Sequence, residues 1–186
     1  EEVQLGRVDP DLARLADLVS PPDVEDRRGA GFADPERRSC ELCVGAVDPG
    51  IQRFFEAEAG MFVDSWNRSF TQLSDYRGVN ANMHGVEALL AAADVTGDDT
   101  LRERALGVAR RVALEFAEPH SWRIPEHFDS TWEPQLEHNR DRPDDQFRPF
   151  GATVGHGLEW SRLLLHLEAS LAGPPSWLLP AAEGLF

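Results

Sequence analysis

Asn80, His84 and Glu87, in the string YRGVNANMHGVEALL, are spaced four and three residues apart. On a helix this spacing brings all three side chains to one face. An amide, an imidazole and a carboxylate converging there suit a polyhydroxylated ligand. The carboxylate would also fix the tautomer of the imidazole and favour its protonated form. The same groups could instead form an internal hydrogen-bond network within a helix pair. A second constellation is His156 and Glu159, followed by Trp160, in FGATVGHGLEWSRLLLHL. The histidine falls in the first turn of a helix, just after a glycine-containing loop. An imidazole titrating near neutrality and held by a carboxylate can move a proton; a core histidine with satisfied hydrogen bonds is the alternative. Glu126–His127 in RIPEHFD, and Arg142, Asp144 and Asp145 in NRDRPDDQFRPFG, could line the mouth of a site or be loop surface. His120, His138 and His166 follow no pattern and are assigned to surface or packing. The spacings of the histidines and glutamates match no metal-ligand motif, so no metal is expected. Phosphate loops, serine nucleophile elbows and dinucleotide fingerprints do not occur.

The elements that must position these groups are helical. From Ile51 onward the pattern is helical, and Val79, Met83, Val86, Leu90 and Ala93 give one apolar stripe on a helix over about 81–95. Gly97 ends it, and Asp98 or Asp99 caps the next. There Leu101, Ala105, Val108, Val112 and Phe116 form the stripe, Arg102, Glu103, Arg110 and Glu115 face water, and Pro119 stops the helix. The short connection predicts an antiparallel hairpin. A third helix spans about 153–171, with His156, Trp160, Leu163 and Leu167 on one face and Leu158, Leu164 and Leu165 on the others. Such an all-round apolar helix is expected to be buried. The connection from Pro119 to Gly151 is far longer than usual, and its tryptophans and phenylalanines predict a loop folded onto the body.

Composition narrows the function classes. The 186 residues suffice for one globular core. Thirty-three acids against 18 bases give a formal charge of -15, which repels phosphate backbones and anionic lipid. Nucleic acid and membranes are therefore not expected partners. No apolar run is long enough to span a bilayer and no leader pattern opens the chain, so a cytoplasmic location is expected. Residues 1–48, rich in Pro, Gly, Asp and Arg, offer one short amphipathic helix near Asp11–Val19 and are otherwise expected to be loop or disorder. Cys40 and Cys43 supply half a zinc site and lack a redox context. The domain division expected is thus 1–48 and 49–186.

Several strings occur together: EAEAGMFVDSW, YRGVNANMHGVEALLAAADVTGD, WRIPEHFDSTW, NRDRPDDQFRPFGATVGHGLEWSRLLLHL and WLLPAAEGLF. From about Gln52 onward the chain resembles the N-acylglucosamine 2-epimerase superfamily, and within it the bacterial aldose–ketose isomerases acting on mannose or sulfoquinovose. The resemblance implies an all-α fold, part of an (α/α)6 barrel of helical hairpins, incomplete here at both ends. It also implies cofactor-free proton transfer between C1 and C2 of an opened monosaccharide through an enediol, with two histidines as acid and base. His156 matches one of that pair, and Glu159 the carboxylate that assists ring opening or orients the histidine. Asn80 and His84 match groups that hold sugar hydroxyls, while Tyr76, Arg77, Glu87 and Trp160 match pocket wall or support. The second histidine lies beyond Phe186 in the family, so the chain alone is expected to be poorly stable and inactive as an isomerase. Two other readings are a non-catalytic sugar-binding or protein-interaction module, with a second subunit over the barrel edge, and an N-acylglucosamine or cellobiose-type 2-epimerase.

Overall fold

The periodic segments form helices in the computed structural model, which describes residues 2–4 and 53–186. Apart from residues 2–4, the segment 1–48, with its amphipathic stretch and both cysteines, lies outside the described residues. Helix α1, Val79–Thr96, buries every residue of the expected stripe. Gly97 ends it in the left-handed region, at φ 71°, and returns its amide to the Ala93 carbonyl at 2.8 Å. Asp98 caps α2, Asp99–Arg110, by accepting from the Thr100 amide at 2.9 Å.

Arg102 does not face water as expected. Its side chain is only 15% exposed and folds back across the hairpin onto Asp94 and Asp99, at 3.1 and 2.7 Å. It also donates to the Ala93 carbonyl, which thus accepts from both Gly97 and Arg102 at the end of α1. Beyond Arg110 the helix widens into a π-helical turn, Arg111–Ala117, and closes in a 3-10 turn, Glu118–His120, around Pro119. The apolar pairs explain the widening. Val108–Ala109, Val112–Ala113 and Phe116–Ala117 repeat every four residues, a spacing that would drift around an ordinary α-helix by about 40° per repeat. The wider turn keeps all three pairs buried.

Helix α3, Val154–Ser170, runs beside α1 in the same direction. Glu87 of α1 pairs with Arg162, and Asp94 with His166 at 3.2 Å, so the order along both helices agrees. Helix α4, Leu178–Leu185, returns antiparallel on α3, where Ser161 Oγ donates to the Ala182 carbonyl at 2.8 Å. The parallel pair α1 and α3 is thus backed by α2 with its π turn and by α4. Trp160, Leu163, Leu164 and Leu167 enter the core between them. Burial all round α3 is not observed: among the described residues Leu158 and Leu165 are 44% and 48% exposed. They share the face on which Arg162 and Glu159 also stand in solvent.

The stretch before α1 departs from the helical expectation. It forms short antiparallel ladders, β2 (Phe55–Glu56) with β3 (Met61–Phe62), and β1 (Glu2–Gln4) with β4 (Ser65–Asn67). A third pairs β5 (Arg77–Gly78) with β6 (His127–Phe128) in the long connection. That connection lies down on the core through Ile124, Phe128 and Trp132, while Phe147 stays exposed. No helix among the described residues is long and apolar enough to cross a membrane.

Phe62 packs flat against α1 at Gly85, where an added Cβ would overlap its ring. Gly85→Ala would gain about 1 kcal/mol of helix propensity but force Phe62 out of place, at a cost of about 1–3 kcal/mol. A net loss of thermal stability is expected in circular dichroism melts; a raised melting temperature would contradict this packing.

Candidate functional site

Pairing of β5 with β6 brings the loop residue Glu126 beneath the starts of both α1 and α3. Its main-chain carbonyl accepts from the Val79 amide at 3.1 Å, the first residue of α1. Its buried carboxylate accepts from the amide and hydroxyl of Thr153, the N-cap of α3, at 2.9 and 2.7 Å. The positive end of a helix favours an anion there, and the carboxylate takes the amide of the N-cap residue itself, as the acidic partner in a capping box does. The other carboxylate oxygen lies 2.7 Å from His156 Nδ1.

His156 sits in the first turn of α3 with its side chain 21% exposed. Burial acts to lower its pKa, but the hydrogen bond and charge of Glu126, with Glu159 farther off, hold it above the ordinary imidazole value. Glu159 stands exposed and makes no hydrogen bond to His156 among the described residues. The carboxylate that holds the ring is therefore Glu126 rather than Glu159. Thirty residues separate it from His156, so no helical spacing could reveal the pair.

On α1, His84 Nδ1 meets Glu87 at 2.9 Å, and Glu87 also pairs with Arg162 of α3. The His84 hydrogen bond and then the Arg162 contact hold the Glu87 carboxyl below its usual range, against the opposing effect of burial. Asn80, one turn earlier and half-buried, makes no side-chain hydrogen bond among the described residues. Asn80, His84 and Glu87 thus stand beside the helix of His156 and Glu159, with His84, Glu87 and Arg162 in one chain of contacts.

Tyr76, Arg77 and Trp160 are placed elsewhere. The Tyr76 hydroxyl donates to His127 Nδ1 at 2.8 Å, while His127 Nε2 donates to the Pro149 carbonyl at 2.7 Å. That carbonyl can only accept, which fixes the His127 tautomer. Burial lowers the His127 pKa, and burial followed by the Asp64 charge raises that of Tyr76. The Arg148 guanidinium lies 3.8 Å from the Tyr76 ring centre, and the His127 and His138 rings are 4.4 Å apart. Arg77 is buried; one guanidinium nitrogen donates to the Ser74 and Tyr76 carbonyls at 2.5 and 3.1 Å, and another faces Glu56 at 3.8 Å. Trp160 is fully buried in the core. A cavity of about 310 Å³ opens beside the Glu126 loop, lined by Arg123, Ile124, His127, Gln135 and Gly151 among others.

The chain is similar to known proteins over most of its length. The model of the N-acylglucosamine 2-epimerase (GlcNAc 2-epimerase) family matches residues 42–186, beginning ten residues before the resemblance seen in the sequence. A D-mannose isomerase of Thermobifida fusca is 51% identical over 146 residues, which cover 78% of this chain and 36% of that one. Another, from Pseudomonas cannabina pv. alisalensis, is 46% identical over 138 residues, 72% of this chain and 33% of that one. A crystal structure of D-mannose isomerase superposes with a TM-score of 0.75 at 32% identity, over 81% of this chain and 38% of that one. Cellobiose 2-epimerase from Spirochaeta thermophila DSM 6192 shares the fold, with a TM-score of 0.63 at 16% identity over 80% of this chain and 37% of that one. The chain spans about a third of the length of the curated relatives it matches. With the family model covering most of its length, the chain belongs to the N-acylglucosamine 2-epimerase family.

Proposed function

We propose that this chain supplies part of the sugar pocket of an aldose–ketose isomerase acting on mannose or a similar hexose. His156 serves as one of two proton-moving groups. In such a reaction a base removes the C2 proton of the opened aldose while the C1 oxygen gains a proton, giving an enediol. Delivery of a proton to C1, with loss of the C2 hydroxyl proton, completes the ketose. The C2 proton is weakly acidic, so a base must stand on it while the carbonyl oxygen is polarised. An imidazole with a reference pKa of about 6.5 can take either part near neutral pH.

The observation that carries this reading is the parallel pairing of α1 with α3 through Glu87–Arg162 and Asp94–His166. It sets the NANMH and GHGLEW strings side by side at the same end of two helices. Asn80 and His84 are then assigned to the sugar hydroxyls, Glu87 to holding the His84 ring, and Glu159, free of His156, to ring opening. Tyr76, Arg77 and Trp160 are assigned to supporting the walls. The similarity to D-mannose isomerases favours the isomerase over a 2-epimerase.

The second proton-moving histidine that the family resemblance implies is assigned to no residue of this chain. Purified chain titrated with D-mannose is therefore expected to shift the His84 and His156 ring signals in NMR spectra while forming no ketose. Turnover at ordinary enzyme rates would overturn the partial-site assignment. Unmoved His84 and His156 signals at saturating sugar would overturn the sugar-handling reading as a whole.

A further inference from the structure

We infer that Glu126 is the positioning residue for His156: it captures Nδ1–H and leaves Nε2 as the atom that exchanges a proton with the ligand. The task given to Nε2 rests on the isomerase reading; the capture of Nδ1 does not. The Glu126 carboxylate is buried and its rotamer is fixed from the other side. Its first oxygen accepts both the amide and the hydroxyl of Thr153. Only the second oxygen remains, and it lies 2.7 Å from His156 Nδ1. An ionised carboxylate can accept but not donate, so the hydrogen in this contact belongs to the imidazole. In the neutral ring, Nδ1 is then the protonated nitrogen and Nε2 carries the lone pair. In the charged ring Nδ1–H stays in place, so the proton lost and regained is that of Nε2.

His156 is thereby ready to act as base or acid through one atom without turning its ring, which is the demand of a step that removes a proton and returns it. Glu159, on the same helix, adds its charge but does not choose between the nitrogens. Thr153 makes the arrangement part of the backbone, since the amide that begins α3 also locks the carboxylate that locks the histidine.

The experiment is 15N NMR of the histidine rings across a pH titration, in the unaltered chain and in Glu126→Gln. In the unaltered chain, neutral His156 is expected as the Nδ1–H tautomer, against the preference of free imidazole side chains for Nε2–H. Glu126→Gln is expected to shift the population toward Nε2–H and to lower the midpoint of the titration, with the circular dichroism spectrum retained. A neutral Nε2–H form in the unaltered chain would overturn the inference. So would a folded Glu126→Gln variant with unchanged tautomer and midpoint. Should that variant fail to fold, the tautomer of the unaltered chain decides alone. Sugar-induced signal changes are recorded separately, so failure of the isomerase reading leaves the Glu126 result standing.

Discussion

Asn82→Leu is expected to lower the free energy of unfolding by roughly 3 kcal/mol, the largest single-residue effect outside the apolar core. Asn82 is fully buried on α1, two residues after the amide assigned to sugar binding and on the opposite face. Its side-chain oxygen accepts from the Phe62 amide at 2.8 Å. Its nitrogen donates to the carbonyls of Phe62 and Gly78, each at 3.0 Å. One side chain thus holds β3 against α1 and satisfies the carbonyl that precedes the helix. Leucine fills similar space but strands one donor and two acceptors, and each buried polar group left unpaired costs about 1–3 kcal/mol. Asn82→Asp is a sharper probe of the same geometry. It keeps the bond from the Phe62 amide yet turns a second oxygen toward two carbonyls, so it too should destabilise at neutral pH. Urea unfolding measures both. Equal stability in all three proteins would show that β3 is not anchored this way.

Raising the pH from 5 to 8 should itself weaken the fold. Burial pushes the Asp64 carboxyl up to about 7, although the Gly78 amide, at 2.5 Å, and the charges of Arg148 and Arg77 pull the other way. Unfolded, the group titrates near 3.9. Between these values the folded chain holds a proton that the unfolded chain has lost, so stability falls as pH rises. Only the two pH units between 5 and about 7 lie inside that interval; at about 1.4 kcal/mol each they set a ceiling of about 3 kcal/mol, and relaxation around the charge should leave about 1–2. His156 acts in the same direction. Its folded pKa is raised, so its contribution is full below about 6.5 and is lost as pH climbs through the folded value. Asp64→Asn can still accept from Gly78 and should remove most of the slope below pH 7, leaving the part due to His156. Urea midpoints that do not move with pH, or that move equally in Asp64→Asn, would contradict the buried neutral carboxyl.

Much of this architecture is legible in the sequence where one face of a helix meets the core. The stripe from Val79 to Ala93 predicts α1 because every member of it is buried. Gly97 and Asp98 mark the hairpin through local backbone chemistry alone. The ladders before α1 are not visible in that way. Phe54, Phe55, Met61, Phe62 and Val63 are short apolar clusters whose pairing depends on α1 and the later loop. Helix α4 carries a readable pattern in Leu178, Ala181, Ala182 and Leu185, but eight residues containing Pro180 and Gly184 give a weak signal. The burial of Trp160 likewise depends on which way α3 is rolled, and that of Arg77 on the pairing of β5 with β6, neither of which spacing alone decides. His84 and Glu87 meet because three residues on a helix determine it. Glu126 and His156 meet only because β5 and β6 pair.

The exposed stretch between Trp132 and Pro149 lies outside the contacts that join the starts of the two helices. Glu126 grips Val79 with its peptide oxygen and Thr153 with its carboxylate, so a single residue acts as a buckle between the two helix origins. The gap separating Asn80 and His84 from the His156 ring is gauged there, over a few bonds, rather than along the surface excursion that follows.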